Sequence, residues 1–195
     1  MSASVLCCVL YIGEVWGVTQ LHDVVYILSR FNATTHQRLT VTDINVKDLR
    51  WPRDIVACER TSQLYVADPK CVRRVLADGA DIKLWWSKSS SDTFEPWTLS
   101  VTSTRLLMTS DDTKQLMQLD SDGIELRRVQ LPHYMEPRYA VETRSGTFVV
   151  SHYNTQLEQH QISEVNTAGE VLCQFSGSRL SSLITWPLTL TVTYF

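Results

Sequence analysis

The chain has 195 residues, a formal net charge of −3 and a pI near 5.9, with 44% hydrophobic and 20% charged residues. That length allows one domain with a substantial core, and the composition is that of a globular protein rather than a disordered or fibrous one. The mild acidity argues against a protein dominated by nucleic-acid binding and no DNA partner is expected, although a local basic patch can sit on an acidic whole.

Residues 5–12 form an apolar run. No Lys or Arg precedes it, Glu14 follows it, and no small-residue cleavage site is evident, so it does not read as a signal peptide. It is also too short to span a bilayer, and no membrane association is expected. Cys7, Cys8, Cys58, Cys71 and Cys173 are an odd set without a C-x-x-C pair. They point to reduced thiols rather than to a secreted disulfide scaffold. Asn32-Ala33-Thr34 is a formal glycosylation acceptor that carries little weight without a secretory route. The expected location is the cytoplasm.

Further along, a phrase of about 40 to 50 residues recurs. It runs Trp51-Pro52-Arg53-Asp54-Ile55-Val56-Ala57 and then Leu64-Tyr65-Val66-Ala67-Asp68. It returns as Glu95-Pro96-Trp97-Thr98-Leu99-Ser100-Val101 with Leu106-Leu107-Met108-Thr109-Ser110, and again as Glu136-Pro137-Arg138-Tyr139-Ala140-Val141 with Thr147-Phe148-Val149-Val150-Ser151. The opening prolines stand at 52, 96, 137 and 187, and proline suits the first residue of a strand, where its missing N–H costs no ladder bond.

Third and fourth strands repeat as well. Val72-Arg73-Arg74-Val75, Leu116-Met117-Gln118-Leu119 and Gln161-Ile162-Ser163-Glu164-Val165 are each followed by an Asp or Asn, a Gly and a further apolar strand. That is hairpin chemistry, because glycine supplies positive φ. Helix fares poorly, since no stretch holds a 3.6-residue apolar stripe and β-branched and aromatic residues crowd the strand positions. Adjacent Trp85 and Trp86 fall on an outer strand, where alternation directs one into the seam between blades and leaves its neighbour partly exposed. Residues 25–29 and 36–41 add a looser unit upstream, and Val5-Leu6-Cys7 echoes Val171-Leu172-Cys173.

Four short apolar segments per period signal an all-β protein, a β-propeller of four-stranded antiparallel blades. The expected layout is residues 1–13 as an outer strand of a preceding blade or an N-terminal extension, and four blades within 14–186 (14–50, 51–94, 95–135 and 136–180). Residues 187–195 then form the first strand of a truncated next blade. A six-bladed ring at this period would need roughly 250 residues, so the expectation is an incomplete ring or open arc with exposed edges.

Trp51-Pro52-Arg53-Asp54-Ile55-Val56-Ala57, Gln63-Leu64-Tyr65-Val66-Ala67-Asp68 and Cys71-Val72-Arg73-Arg74-Val75 together resemble an NHL repeat. That pattern is Pro, then Ile-Ala-Val, then Leu-Tyr-Val-Ala-Asp, then a basic residue before a β-branched one. The next two units keep the spacing but carry Ser110 and Ser151 in place of the Asp, and the unit before Trp51 matches loosely. The resemblance implies a propeller that is usually six-bladed and serves as a non-catalytic protein-interaction platform, often behind RING, B-box and coiled-coil segments. The Gly-His and Trp-Asp dipeptides of WD repeats are missing. Metal-dependent lactonases have a related fold and need Glu, Asn and Asp side chains converging on a divalent cation.

In a propeller, the loops that enter each inner strand and join the second and third strands gather on one face, where ligands bind. That face is expected to carry Trp51, Arg53, Asp68, Lys70, Trp97, Asp111, Asp112, Lys114, Glu136, Arg138, His152, Tyr153 and Asn154. Exposed Trp, Tyr and Arg are typical interface anchors, so a protein partner is the leading expectation. The bland readings are that Trp51 and Trp97 pack between blades and that Asp68 caps its own turn. Arg73-Arg74 and Arg127-Arg128 raise single-stranded RNA as an alternative, opposed by the acids on the same face. A lactonase-like hydrolase is the enzyme alternative, with Asp68, Asp112 and Asn154 as oxygen ligands for calcium. The five histidines (22, 36, 133, 152, 160) lack paired-ligand spacing, no G-x-S-x-G elbow exists, and no cofactor is expected.

Overall fold

A computed structural model describes residues 15–21, 24–29, 40–44, 51–76, 82–102 and 104–175. Expectations placed on residues 1–13, on the 77–79 turn and on the unit opening at Pro187 lie outside them. Among the described residues every helix or strand is a β-strand. β1 (Val15–Leu21) pairs antiparallel with β2 (Val24–Ser29), and β3 (Thr40–Ile44) runs parallel to β2. The antiparallel four-stranded pattern expected over 14–50 is therefore not the arrangement of its described residues. The 30–39 connection holds no glycine for a tight positive-φ turn, and a long connection lets the next strand enter in the same direction.

From Asp54 onward the expected pattern holds in three four-stranded antiparallel sheets. The first contains β4 (Asp54–Cys58), β5 (Gln63–Asp68), β6 (Cys71–Leu76) and β7 (Ile82–Ser87). The second contains β8 (Leu99–Val101), β9 (Leu106–Ser110), β10 (Gln115–Leu119) and β11 (Glu125–Gln130). The third contains β12 (Met135–Glu142), β13 (Phe148–Asn154), β14 (Gln159–Val165) and β15 (Val171–Phe175). Each strand pairs with the next in sequence, so each sheet is a meander. The opening strands β1, β4, β8 and β12 lie against one another in succession, as the inner strands of radial blades must.

Alternation along each strand builds the seams between blades. Tyr65, Ala67 and Val72 of the β4–β7 blade meet Leu99, Met108, Met117 and Leu119 of the β8–β11 blade in one apolar cluster. The intervening residues Leu107, Leu116 and Val129 point the other way and meet Ala140, Phe148, Val150 and Val165 of the β12–β15 blade. The middle blade is buried on both faces, which is why β9 reads as an unbroken apolar run closed by Thr109 and Ser110.

The two third-to-fourth-strand glycine hairpins that fall among the described residues form as expected, and they do more than turn the chain. Gly123 and Gly169 have φ of +85° and +84° in the turns before β11 and β15. Asp120 Oδ1 accepts the N–H groups of Asp122 and Ile124 (both 2.9 Å), and Asn166 Oδ1 accepts those of Ala168 and Glu170 (2.9 and 3.0 Å). Each turn also tucks beneath the outer strand of the preceding blade. A Cβ at Gly123 would lie 2.6 Å from the Trp85 carbonyl oxygen, and one at Gly169 would lie 1.9 Å from that of Gln130.

Trp85 and Trp86 depart from the expected alternation. Val72 pairs with Trp86 and Arg73 with Leu84, so Trp85 is the extra residue of a bulge. The bulge lets both indoles pack on the same seam, Trp85 against Tyr65 (4.8 Å between centroids) and Trp86 against Phe94 (6.2 Å).

Candidate functional site

The loops opening β4 and β8 are fastened alike, which makes their prolines equivalent corners of the fold. Arg53 N–H donates to the Ala67 carbonyl (2.9 Å) and Trp97 N–H to the Thr109 carbonyl (2.8 Å). One residue before each proline, the N–H of Trp51 donates to Asp68 Oδ2 (3.0 Å) and that of Glu95 to Ser110 Oγ (3.4 Å). Ser110 thus does the work of the Asp it replaces. Pro137 differs by lying inside β12, at a register shift between Pro137 and Tyr139, one of the few places a sheet tolerates proline.

Charges on the loop face are cross-linked from blade to blade. Glu95 receives Arg53 and Lys88 at 3.1 Å each, and the Arg53 guanidinium lies 4.7 Å over the Trp97 ring. Glu136 receives Lys114 and Arg138 at 3.2 Å each, and Arg138 reaches Asp111 at 3.3 Å across the next seam. Singly such partly exposed pairs contribute little, but networks bridging separate sheets hold their relative placement. Beneath them Asp54 spans the inner strands. Its Oδ2 accepts the Leu99 N–H at 2.7 Å and its Oδ1 the Ile55 N–H at 2.8 Å. Burial dominates these bonds and pushes the Asp54 carboxyl up to about 6.

The expected site residues divide into three groups. Trp51, 68% exposed, projects from the face, and Lys70 and Asp112 are exposed as well. Arg53, Trp97, Lys114 and Arg138 are half-buried within the network just described. Asp68, His152 and Asn154 are buried. Asp68 Oδ1 accepts the Lys70 N–H at 3.3 Å in addition to holding Trp51, so the turn-capping reading of Asp68 is the observed one.

His152 and Asn154 require correction as loop-face contacts. β13 continues to Asn154, three residues past the Ser151 at which the second strand was expected to end. Alternation then puts Phe148, Val150, His152 and Asn154 on one buried side and leaves Tyr153 on the other, half-buried with its ring 5.2 Å from that of His160. His152 Nε2 meets Ser163 Oγ at 2.9 Å, and burial lowers its pKa to about 4, so it stays neutral. Asn154 Oδ1 accepts the N–H groups of Gln156 and Leu157 (3.0 and 3.1 Å). The oxygens proposed to ligate calcium at Asp68 and Asn154 therefore serve their own turns, and among the described residues no group of three His, Cys, Asp or Glu side chains is placed to hold a metal ion. Of the basic pairs, Arg128 is committed to Asp92 by two bonds of 2.9 Å and to Glu125 at 2.8 Å.

Reading the sequence missed Glu95, Lys88 and Asp54 as members of this surface. Glu95 had a signal, because it occupies the same place before proline as Glu136. Asp54 had none, since the N–H it binds is 45 residues further on.

These features define a β-propeller. No known family's sequence profile matches the chain and no curated protein matches it. Among solved structures it is similar to virginiamycin B lyase from Staphylococcus aureus, at 12% identity and a TM-score of 0.59 over 87% of this chain and 57% of that one. It is similar also to the nidogen/laminin complex, at 15% identity and a TM-score of 0.58 over 82% and 64%. A third is the WD40 β-propeller domain of Doa1, at 14% identity and a TM-score of 0.56 over 90% and 60%. The shared property at such identities is the fold, and the chain spans less than two thirds of the length of each. Among the described residues no helix is long and apolar enough to cross a membrane.

Proposed function

We propose that the repeating units are of the NHL type and that the chain is a non-catalytic, cytoplasmic protein-interaction scaffold that uses its loop face. The observation that carries this reading is Trp51, which is 68% exposed while its backbone N–H is held by the buried Asp68 carboxylate. A large aromatic on a fixed backbone loses little entropy when a partner covers it, which is the character of an interface anchor. Around it Arg53, Lys88, Lys114 and Arg138 are neutralised by Glu95, Glu136 and Asp111. Lys70 is left as an exposed cation, but exposed Asp112 and Glu158 share the face with it, and a surface of mixed charge favours a protein over the phosphate backbone of RNA.

Quantitative affinity capture from cells with the wild-type chain, Trp51→Ala and the outer-strand control Leu172→Ala tests this. At least one recovered protein is expected to fall about tenfold with Trp51→Ala and to persist with the control. Recovery that ignores Trp51, or that disappears on RNase treatment, would contradict the reading.

A further inference from the structure

Most charged side chains of the loop face neutralise one another, which makes those left over informative. Each of the three four-stranded blades joins its second and third strands by a loop on this face, and each such loop presents one exposed charge. Lys70 stands between β5 and β6, Asp112 between β9 and β10, and Glu158 between β13 and β14. Among the described residues none of the three forms an ion pair, whereas neighbouring Lys88, Asp111, Lys114 and Glu136 all do. The three charges follow the order of the blades, with the sign changing after the first. Their loops are braced: the Lys70 N–H is bonded to Asp68, the Lys70 carbonyl accepts the Lys88 N–H at 3.1 Å, and the Leu131 N–H closes on the Lys114 carbonyl at 2.8 Å. Asp68 takes the backbone N–H groups of both Trp51 and Lys70 on its two oxygens, so one buried carboxylate holds the backbone of two exposed residues.

We propose that this surface binds an extended peptide segment of a partner protein, with an apolar and an acidic side chain over the β4–β7 blade and basic side chains over the next two. The proposal rests on the protein-scaffold reading and adds the chemistry of the partner to it. Charge complementarity sets the order: an acidic group meets Lys70 next to the apolar contact with Trp51, and cationic groups then meet Asp112 and Glu158. Face-packed sheets lie about 10 Å apart and an extended chain advances roughly 3.3 Å per residue, so successive charges in the peptide are about three residues apart. Rim charges of this kind select partners and set orientation more than they add affinity.

Panning a random dodecapeptide phage library on the immobilised chain tests the proposal. Enriched peptides are expected to carry a large apolar residue beside Asp or Glu, with Lys or Arg at about three-residue intervals beyond. Panning on Lys70→Glu is expected to turn the acidic position basic, and panning on Asp112→Lys to turn the middle basic position acidic. A selected peptide is expected to lose about tenfold in affinity for Lys70→Glu and to regain it when its own acidic residue is changed to Lys. Both reversed positions are surface charges, and unchanged circular dichroism of the variants keeps the comparison valid. Enrichment that depends on Trp51 but ignores both charge reversals would overturn the peptide proposal and leave the scaffold reading standing. No enrichment, or enrichment indifferent to Trp51, Lys70 and Asp112 alike, would overturn both.

Discussion

Three glycines with nearly the same backbone angle separate what conformation costs from what space costs. Gly146, φ +81°, has nothing within 4 Å of the point a Cβ would occupy, whereas at Gly169, φ +84°, that point lies 1.9 Å from the Gln130 carbonyl oxygen. Gly146→Ala should therefore lose only the left-handed penalty, about 1 kcal/mol. Gly169→Ala must also push two blades apart and should cost about 3 kcal/mol or more. Thermal melts of the pair check the ordering. Two aspartates offer a second contrast. Asp54, held up at about 6 by burial, binds its proton more tightly in the folded protein than in the unfolded chain. Its contribution is therefore most favourable below about pH 4 and declines as pH rises to about 6, by an amount on the order of 2–3 kcal/mol. Asp54→Asn should abolish that decline, which chemical denaturation at several pH values measures.

Strands and their connections show where local pattern suffices and where it does not. The connector ahead of β8 is tied down by Arg128 of β11, whose guanidinium forks onto Asp92 and lies 5.5 Å over the Phe94 ring. That bidentate bond, helped by the Phe94 N–H, draws the Asp92 carboxyl down to about 2. The depressed pKa gives stability that is present above about pH 4 and lost as pH falls through 2, opposite in sign to Asp54. Arg128→Met should cost about 1–2 kcal/mol at neutral pH and remove this acid loss, as read from melts between pH 2 and 5. The hairpin turns were legible because Asp120-to-Gly123 and Asn166-to-Gly169 state their own geometry within a few residues. Three features were not legible. The extension of β13 runs through His-Tyr-Asn, residues that read as a loop until the blade beside them buries alternate members. The bulge at Trp85 depends on how β7 meets β6, and the parallel entry of β3 depends on tertiary placement that no local run encodes.

At the scale of the molecule, the recurring proline marked the radial repeat because the same corner opens β4 and β8, while Pro137 keeps the spacing from within β12. Periodicity of that kind survives in one sequence, and it carried the fold class and the position of the loop face. Pairing between blades does not survive in the same way. Arg53 with Glu95, and Arg138 with Asp111, are contacts 42 and 27 residues apart whose partners only the packing of neighbouring blades brings together. They decide which charges on the face are spent and which remain to meet another molecule. Photo-crosslinking in cells, with a photoreactive phenylalanine placed in turn at Trp51 and Asp112 on the loop face and at Asp122 and Ser145 on the hairpins of the opposite face, tests that conclusion most directly. A common adduct from positions 51 and 112, absent from 122 and 145, is the expected result. Adducts confined to 122 and 145 would place recognition on the other side of the propeller and contradict the account.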